Sequence, residues 1–337
     1  MSAARSRSSA GTGSDAPAPG PRHTLHIVSG KGGTGKTTVA SALACALATS
    51  GRRVLVCEVE GRQGIAELFE TSPLTESPER RILRTADGGE VFGLSIDAED
   101  ALLEYLETFY HLGLAARALD RAGAVDFATS IAPGLRDVLL TGKVYEAVRR
   151  REKKLPNSYD AVVLDAPPTG RIAQFLNVHQ AVAGLAKMGP IRNQADSIMR
   201  VLRSATTVVH LVTLLEDMPV TETEEAVVDL APTKIRVGAV IANMVIASPL
   251  SDDSLKEAAT TADPFSIPGL TKKQNAALAR EYADDAARTL EQRARQARLA
   301  GLRLAMAELA YDPAGIDLGA LPQLAATLRG QLDLEIG

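Results

Sequence analysis

Cysteine is scarce in this chain. Cys45 and Cys57 are the only two among 337 residues. No C-x-x-C pair occurs, so a paired-cysteine zinc clasp is excluded. Both read as small buried apolar residues in a reducing compartment such as the cytoplasm. The five histidines are scattered, with no H-x-x-x-H pair. No apolar run reaches the length of a membrane span. Arg5 and Arg7 near the N-terminus are not followed by an apolar segment, which argues against a secretory signal. Positive charge is not in excess. The net charge of −4 gives no general attraction to nucleic acid or anionic lipid. There is no internal repeat and no second phosphate loop.

What remains is the composition of an ordinary folded domain, 45% hydrophobic and 23% charged. Residues 1–22 are rich in Ser, Ala, Gly and Pro and are expected to form a disordered tail. Residues 23–337 are expected to form one domain.

That domain is organised around Ser29-Gly30-Lys31-Gly32-Gly33-Thr34-Gly35-Lys36-Thr37-Thr38. The stretch satisfies G-x-x-x-x-G-K-[ST] from Gly30 to Thr37. Leu25-His26-Ile27-Val28 before it predicts a strand. The Ala- and Leu-rich residues Val39 to Thr49 after it predict a helix ending at Gly51. Strand, glycine loop and helix are the context such a site needs. The glycines let backbone N–H groups turn inward, and the helix start adds positive potential. Lys36 is expected to reach the outer phosphates of ATP and the Thr37 hydroxyl to hold Mg2+. A glycine turn that binds no phosphate is the plain alternative.

Further apolar strands follow at Arg53–Val59, Glu90–Ile96, Tyr159–Asp165, Thr206–Thr213 and Ile235–Ala242, and a last one at Leu302–Leu309. Continuous apolar strands alternating with helices indicate an α/β fold, a doubly wound, mostly parallel sheet covered on both faces. Ligands of such sheets bind beyond the carboxyl ends of the strands. Asp165 ends one strand well downstream of the loop and is expected to bind Mg2+ through water. It leads into Ala166-Pro167-Pro168-Thr169-Gly170, where the prolines restrict the backbone and Gly170 supplies a pivot. Glu60 and Asn243 lie at two other strand ends. Their plain alternatives are a surface acid and a turn Asn.

Lys31, a second lysine inside the loop, narrows the class. K-G-G-T-G-K-T resembles the deviant phosphate loop of the family that holds the septum-site and plasmid-partition ATPases, the nitrogenase iron protein, and the arsenite-pump and tail-anchored-protein-targeting ATPases. Asp165–Gly170 resembles the D-T-A-P-T-G segment of the last two, the ArsA/Get-like family, with Pro167 in place of Ala. The resemblance implies a Mg-dependent ATPase that closes as a dimer, of identical chains or with a sibling. Lys31 would touch the partner's nucleotide. Glu60, one methylene longer than the family's Asp, would orient the attacking water. Segment 165–170, including Pro168, Thr169 and Gly170, would sense the γ-phosphate. Asn243 would bond adenine. Arg171, where the family often has His, receives no role. With two cysteines a three-cysteine arsenite site is impossible, and the family's structural zinc is missing. Residues Ala181 to Ser204 fall where a client-binding insertion is found in that family, yet they hold only Met188 and Met199, too little flexible apolar surface for a deep groove.

Helical spacing of Leu102, Leu103, Leu106, Phe109 and Leu112 puts helices within Asp97–Arg151, interrupted at Pro133-Gly134. An acidic helix start is expected at Thr221–Glu224 and a loop over Pro249–Pro268. A long helix is expected over Gln274–Leu299, and a final one over Leu318–Leu332. That last helix carries Arg329 as its sole cation and so lacks the basic anchor of the septum-site ATPases. The client stays unidentified. Three alternatives stay open: an ATP-binding switch with little turnover, a positioning ATPase on nucleoid or membrane, and a carboxylate-activating ligase.

Overall fold

A computed structural model describes residues 23–75, 79–102, 104, 133–178, 190–260, 266–332 and 334. The residue 1–22 tail, Leu103, Leu106, Phe109, Leu112 and Met188 lie outside the described residues.

The described chain forms an eight-stranded sheet in the order β3-β4-β2-β5-β1-β6-β7-β8. The central strands are β1 (Leu25–Gly30), β2 (Arg53–Val59), β5 (Ala161–Asp165) and β6 (Thr207–Thr213). Around them lie β3 (Arg80–Arg84), β4 (Glu90–Ile96), β7 (Val237–Val245) and β8 (Ala305–Ala310). Every pairing is parallel except β3 with β4. The central strands are buried almost throughout, as apolar runs covered on both faces must be.

One face is covered by α3 (Pro133–Glu152), α4 (Thr169–Leu176), α5 (Pro190–Leu202) and α6 (Asp217–Leu230). The other is covered by α1 (Lys36–Leu47), α2 (Gly64–Leu68) and α9 (Leu321–Gln331). Helix α1 is buried from Val39 to Leu47 because it runs between the sheet and α9. A helix in that position needs no polar face. Helices α7 (Asp252–Thr260) and α8 (Lys272–Ala300) pack on each other, and Leu299 near the end of α8 is buried with Val220 of α6 and Val240 and Ala242 of β7. A capping box between Thr271 and Gln274 starts α8.

The expected architecture is present, with local corrections. Strand β3 was not expected: its Arg80-Arg81-Ile82-Leu83-Arg84 sequence reads as surface. It is a charged edge strand, paired antiparallel with a bulge. Charge and irregularity suit an edge. The segment expected as loop over Pro249–Pro268 contains α7, whose Leu255 and Ala258 are buried against Ala286 of α8. Tertiary packing overrides the low propensity of its Ser, Asp and Thr residues. Helix α6 starts at Asp217 rather than Thr221, since Pro219 fits the first turn, where N–H groups lack helical partners. Strand β7 runs past Asn243 to Val245. The last strand starts at Ala305 rather than Leu302.

Two of the scattered histidines meet in the core. His26 on β1 and His210 on β6 stack with ring centroids 5.4 Å apart, and one ring donates to the other across 3.1 Å between His26 Nδ1 and His210 Nε2. Burial and the neighbouring charges of His210 and His23 hold His26 well below its ordinary value. His210 is held down to about 4 by burial and then by His23. No helix of the described residues is long and apolar enough to cross a membrane.

Candidate functional site: a phosphate loop beneath two acidic strand ends

Strand β1 delivers Gly30 to the carboxyl edge of the sheet, and the loop turns back into α1 at Lys36. Two glycines are required by space. A Cβ on Gly30 would overlap the Val212 carbonyl of neighbouring β6. Gly35 has a φ of +83°, and a Cβ there would strike Asn243 Nδ2. The loop folds around the Lys31 carbonyl, which accepts from Thr34 Oγ1 at 2.9 Å and Lys36 Nζ at 3.0 Å. Gly32 and Gly33 are exposed at the tip and Thr34 is buried beneath it. Thr37 and Thr38 sit in the first turn of α1.

Thr37 Oγ1 donates to Asp165 Oδ2 at 2.7 Å. These two expected magnesium ligands are 128 residues apart in sequence, and the β1–β5 pairing brings them together. Asp165 is wholly buried, and its Oδ1 has no hydrogen-bond partner in the structure. Burial raises its pKa, opposed by Arg62, the Thr37 hydrogen bond and Lys36. A hydroxyl beside an under-bonded buried carboxylate oxygen is a hard-oxygen donor set that fits Mg2+. No cluster of three or more His, Cys, Asp or Glu suited to a metal occurs among the described residues. Burial also lowers the Lys36 pKa, with Asp165 opposing.

Two residues in this cluster were not anticipated from the sequence. Glu58 lies within β2, is buried, and accepts from the N–H groups of Gly64 at 3.1 Å and Ile65 at 3.4 Å. Burial and the charge of Asp165 push its pKa up to about 7. A signal existed: Glu58 follows Val54 and Val56 at the strand period of two, where the pattern calls for an apolar residue. Arg62 reaches Asp165 with one nitrogen at 3.5 Å from Oδ2 and another donating to its backbone carbonyl at 3.1 Å. Nothing in the sequence marked it.

Segment 165–170 packs on β1: Ala166 N donates to the Val28 carbonyl at 2.9 Å and Ser29 Oγ to the Pro167 carbonyl at 2.7 Å. Pro168 caps α4, Thr169 opens it, and Gly170 follows in open space with no left-handed backbone.

The remaining expected residues lie around this centre, each with a partner in the same chain. Lys31 Nζ pairs with Glu222 of α6 at 2.5 Å. Glu60, at φ +70° in the turn after β2, pairs with Arg171 at 3.0 Å. Arg171 also approaches buried Asp137 at 3.7 Å. Asn243 Nδ2 donates to the Thr34 carbonyl at 2.9 Å, so its amide braces the loop from below.

The sequence profile described as Anion-transporting ATPase matches residues 23–206. ATPase BagA of Mycobacterium tuberculosis is 48% identical over 316 residues, spanning 91% of this chain and 93% of that protein. ATPase GET3 of Podospora anserina is 28% identical across 53% of this chain and 50% of that protein. ATPase ARSA2 of Chlamydomonas reinhardtii is 28% identical across 51% and 43% respectively. The profile covers more than half of the chain, the first of these relatives matches nearly end to end, and the phosphate loop and Asp165 segment stand together at one sheet edge: the chain belongs to the anion-transporting (ArsA) ATPase family.

Proposed function

We propose that this chain is a Mg-dependent ATP hydrolase that works as a nucleotide-gated dimer, of two identical chains or of this chain with a sibling. The carrying observation is the 2.7 Å contact between Thr37 and Asp165 at the mouth of the phosphate loop. It supports a single polar centre built from a loop and a strand end, with Lys36 beside it.

The loop N–H groups and Lys36 bind the phosphate oxygens. Thr37 and Asp165 would hold a magnesium ion, which when bound would neutralise charge on the phosphates. Glu60 orients the attacking water, for which it must leave Arg171. Lys31 reaches across to the second subunit's nucleotide. Asn243 braces the loop and offers its remaining amide atoms to adenine. Thr169 and Gly170 move with segment 165–170 as phosphate is lost. Phosphoryl transfer depends on positioning, so the extra methylene of Glu60 favours slow turnover.

The test is steady-state phosphate release with and without Mg2+, run beside sedimentation velocity with and without ATP. No phosphate release with Mg2+ and ATP would refute the hydrolase, release that survives chelation would refute the magnesium dependence, and release that survives Lys36→Ala would refute the proposed site. A monomeric species at all ATP concentrations, for the chain alone and as isolated from its native host, would refute the dimer, and an unchanging dimer would refute the nucleotide gating.

The Glu60–Arg171 pair also favours a second reading, an ATP-bound switch that barely turns over. Single-turnover hydrolysis by Glu60→Gln separates the two: an unchanged rate means that Glu60 is not the catalytic acid. Nothing in the net charge of −4 favours nucleic acid as a partner.

A further inference from the structure

We propose that Glu222 is a positioning residue. It holds Lys31 inside its own subunit and ties it to the start of α4, so Lys31 becomes available to a second chain only when that contact opens. The proposal rests on the dimeric reading above.

One carboxylate joins two moving parts. Glu222 Oε1 takes the Lys31 ammonium at 2.5 Å, and Oε2 accepts from Thr169 Oγ1 at 3.1 Å. Lys31 lies 191 residues away in the phosphate loop. Thr169 is buried and is the first residue of α4, directly after Pro168. Glu222 itself stands on a firm support. Helix α6 packs against α4 and against β6, and the next residue, Thr223, is buried and back-bonded to the Pro219 carbonyl at 2.8 Å.

Charge and exposure give this contact the character of a latch. The Lys31 and Glu222 side chains are 31% and 28% exposed. A partly exposed pair is worth little in free energy and opens readily. A lysine on a flexible four-carbon stem then swings as a point charge to another anion. Two anions compete for the same ammonium, the Glu222 carboxylate in this chain and a phosphate presented by a second one. Displacement of the α4 start removes Thr169 from Glu222 and frees the carboxylate to move. A change at segment 165–170 is thereby felt at Lys31, with no direct contact between the two.

Glu222→Gln keeps the shape and the Thr169 contact while removing the charge. Two readouts test the idea on the full chain. The first is limited acetylation by an N-hydroxysuccinimide ester, quantified at each lysine by mass spectrometry. Lys31 is expected to react about two- to fivefold faster in Glu222→Gln than in the parent, the range of an exposed to half-exposed pair, with other lysines unchanged. Thr169→Val is expected to move Lys31 in the same direction by less. The second is the ATP concentration for half-maximal association by sedimentation velocity. It is expected to fall about two- to fivefold in Glu222→Gln, with no such fall when Lys31→Ala is also present.

An unchanged Lys31 acetylation rate overturns the latch. So does weaker association of Glu222→Gln, which would make Glu222 a support of the closed form. An association gain that persists on the Lys31→Ala background overturns it as well. Failure of the parent chain, alone and as isolated from its native host, to associate at any ATP concentration removes the dimeric reading together with the release step. Parent association that responds to ATP but not to Glu222→Gln removes the latch alone.

Discussion

Acidification should destabilise this protein through a histidine pair that lies outside the proposed catalytic cluster. His26 and His210 are stacked and wholly buried, and share one hydrogen bond of 3.1 Å. The unfolded chain takes up a proton at each ring near pH 6.5. The folded chain resists: His210 titrates at about 4 and His26 well below its ordinary value. Between these limits the unfolded state binds more protons, so stability is full above about pH 6.5 and falls as pH drops below it. For His210 the loss between pH 7 and pH 5 is about 2 kcal/mol. His26, held down by burial and by its neighbours, adds a further loss of the same sign. At about 2 °C per kcal/mol for a chain of this size, the melting temperature should drop by about 4 °C from His210 alone, and further with His26. The control is His26→Leu with His210→Leu, which removes both titrating rings without leaving one polar partner stranded. Thermal unfolding of parent and double variant from pH 8 to pH 5 should give curves that diverge below pH 6.5, the parent falling more steeply. Parallel curves would refute the reasoning, because carboxylates elsewhere are common to both proteins.

Other outcomes follow from the site. Gly35→Ala meets both a left-handed backbone and Asn243 Nδ2. It should cost about 2–3 kcal/mol, and Asn243→Ala about 1–2 kcal/mol, while together they should cost about 1 kcal/mol less than the sum because the collision is gone; additive melting shifts would count against that contact. Gly30→Ala pushes a methyl into the Val212 carbonyl and should destabilise by about 3 kcal/mol, well beyond the effect of Gly32→Ala, where nothing lies within 4 Å of the added carbon; equal melting temperatures would show that the loop and β6 are not that close. Arg171→Ala releases Glu60 from its 3.0 Å pair and should raise the single-turnover hydrolysis rate by about two- to fivefold; a slower rate would mean that Arg171 serves the active arrangement.

Much of the site was legible in the sequence because its parts are local. The residues from Gly30 to Thr38 are contiguous, and their geometry follows from glycine placement and from the strand and helix on either side. Asp165 was legible for a related reason. It ends an apolar run, and strand ends of a parallel sheet converge on one edge whatever the order of the strands. The sheet and its two covering layers followed from apolar runs alternating with helices. Strand β3 was hidden because its arginines serve an edge. Helix α7 was hidden because only the surface of α8 makes its weak apolar stripe worth burying.

Everything that depends on which strands are neighbours was decided by the tertiary structure. The order β2-β5-β1-β6 brings Glu58 and Arg62 beside Asp165, lays Lys31 and Thr169 against Glu222, and stacks two histidines 184 residues apart. No periodicity carries such information. A side chain's spacing along its own strand or helix says which face it occupies; the charge it meets there is set by a different segment, placed by the packing of the whole sheet. The chain's own residues thus specified a phosphate loop and an acidic strand end. The fold determined which ammonium and which carboxylate are already paired around them.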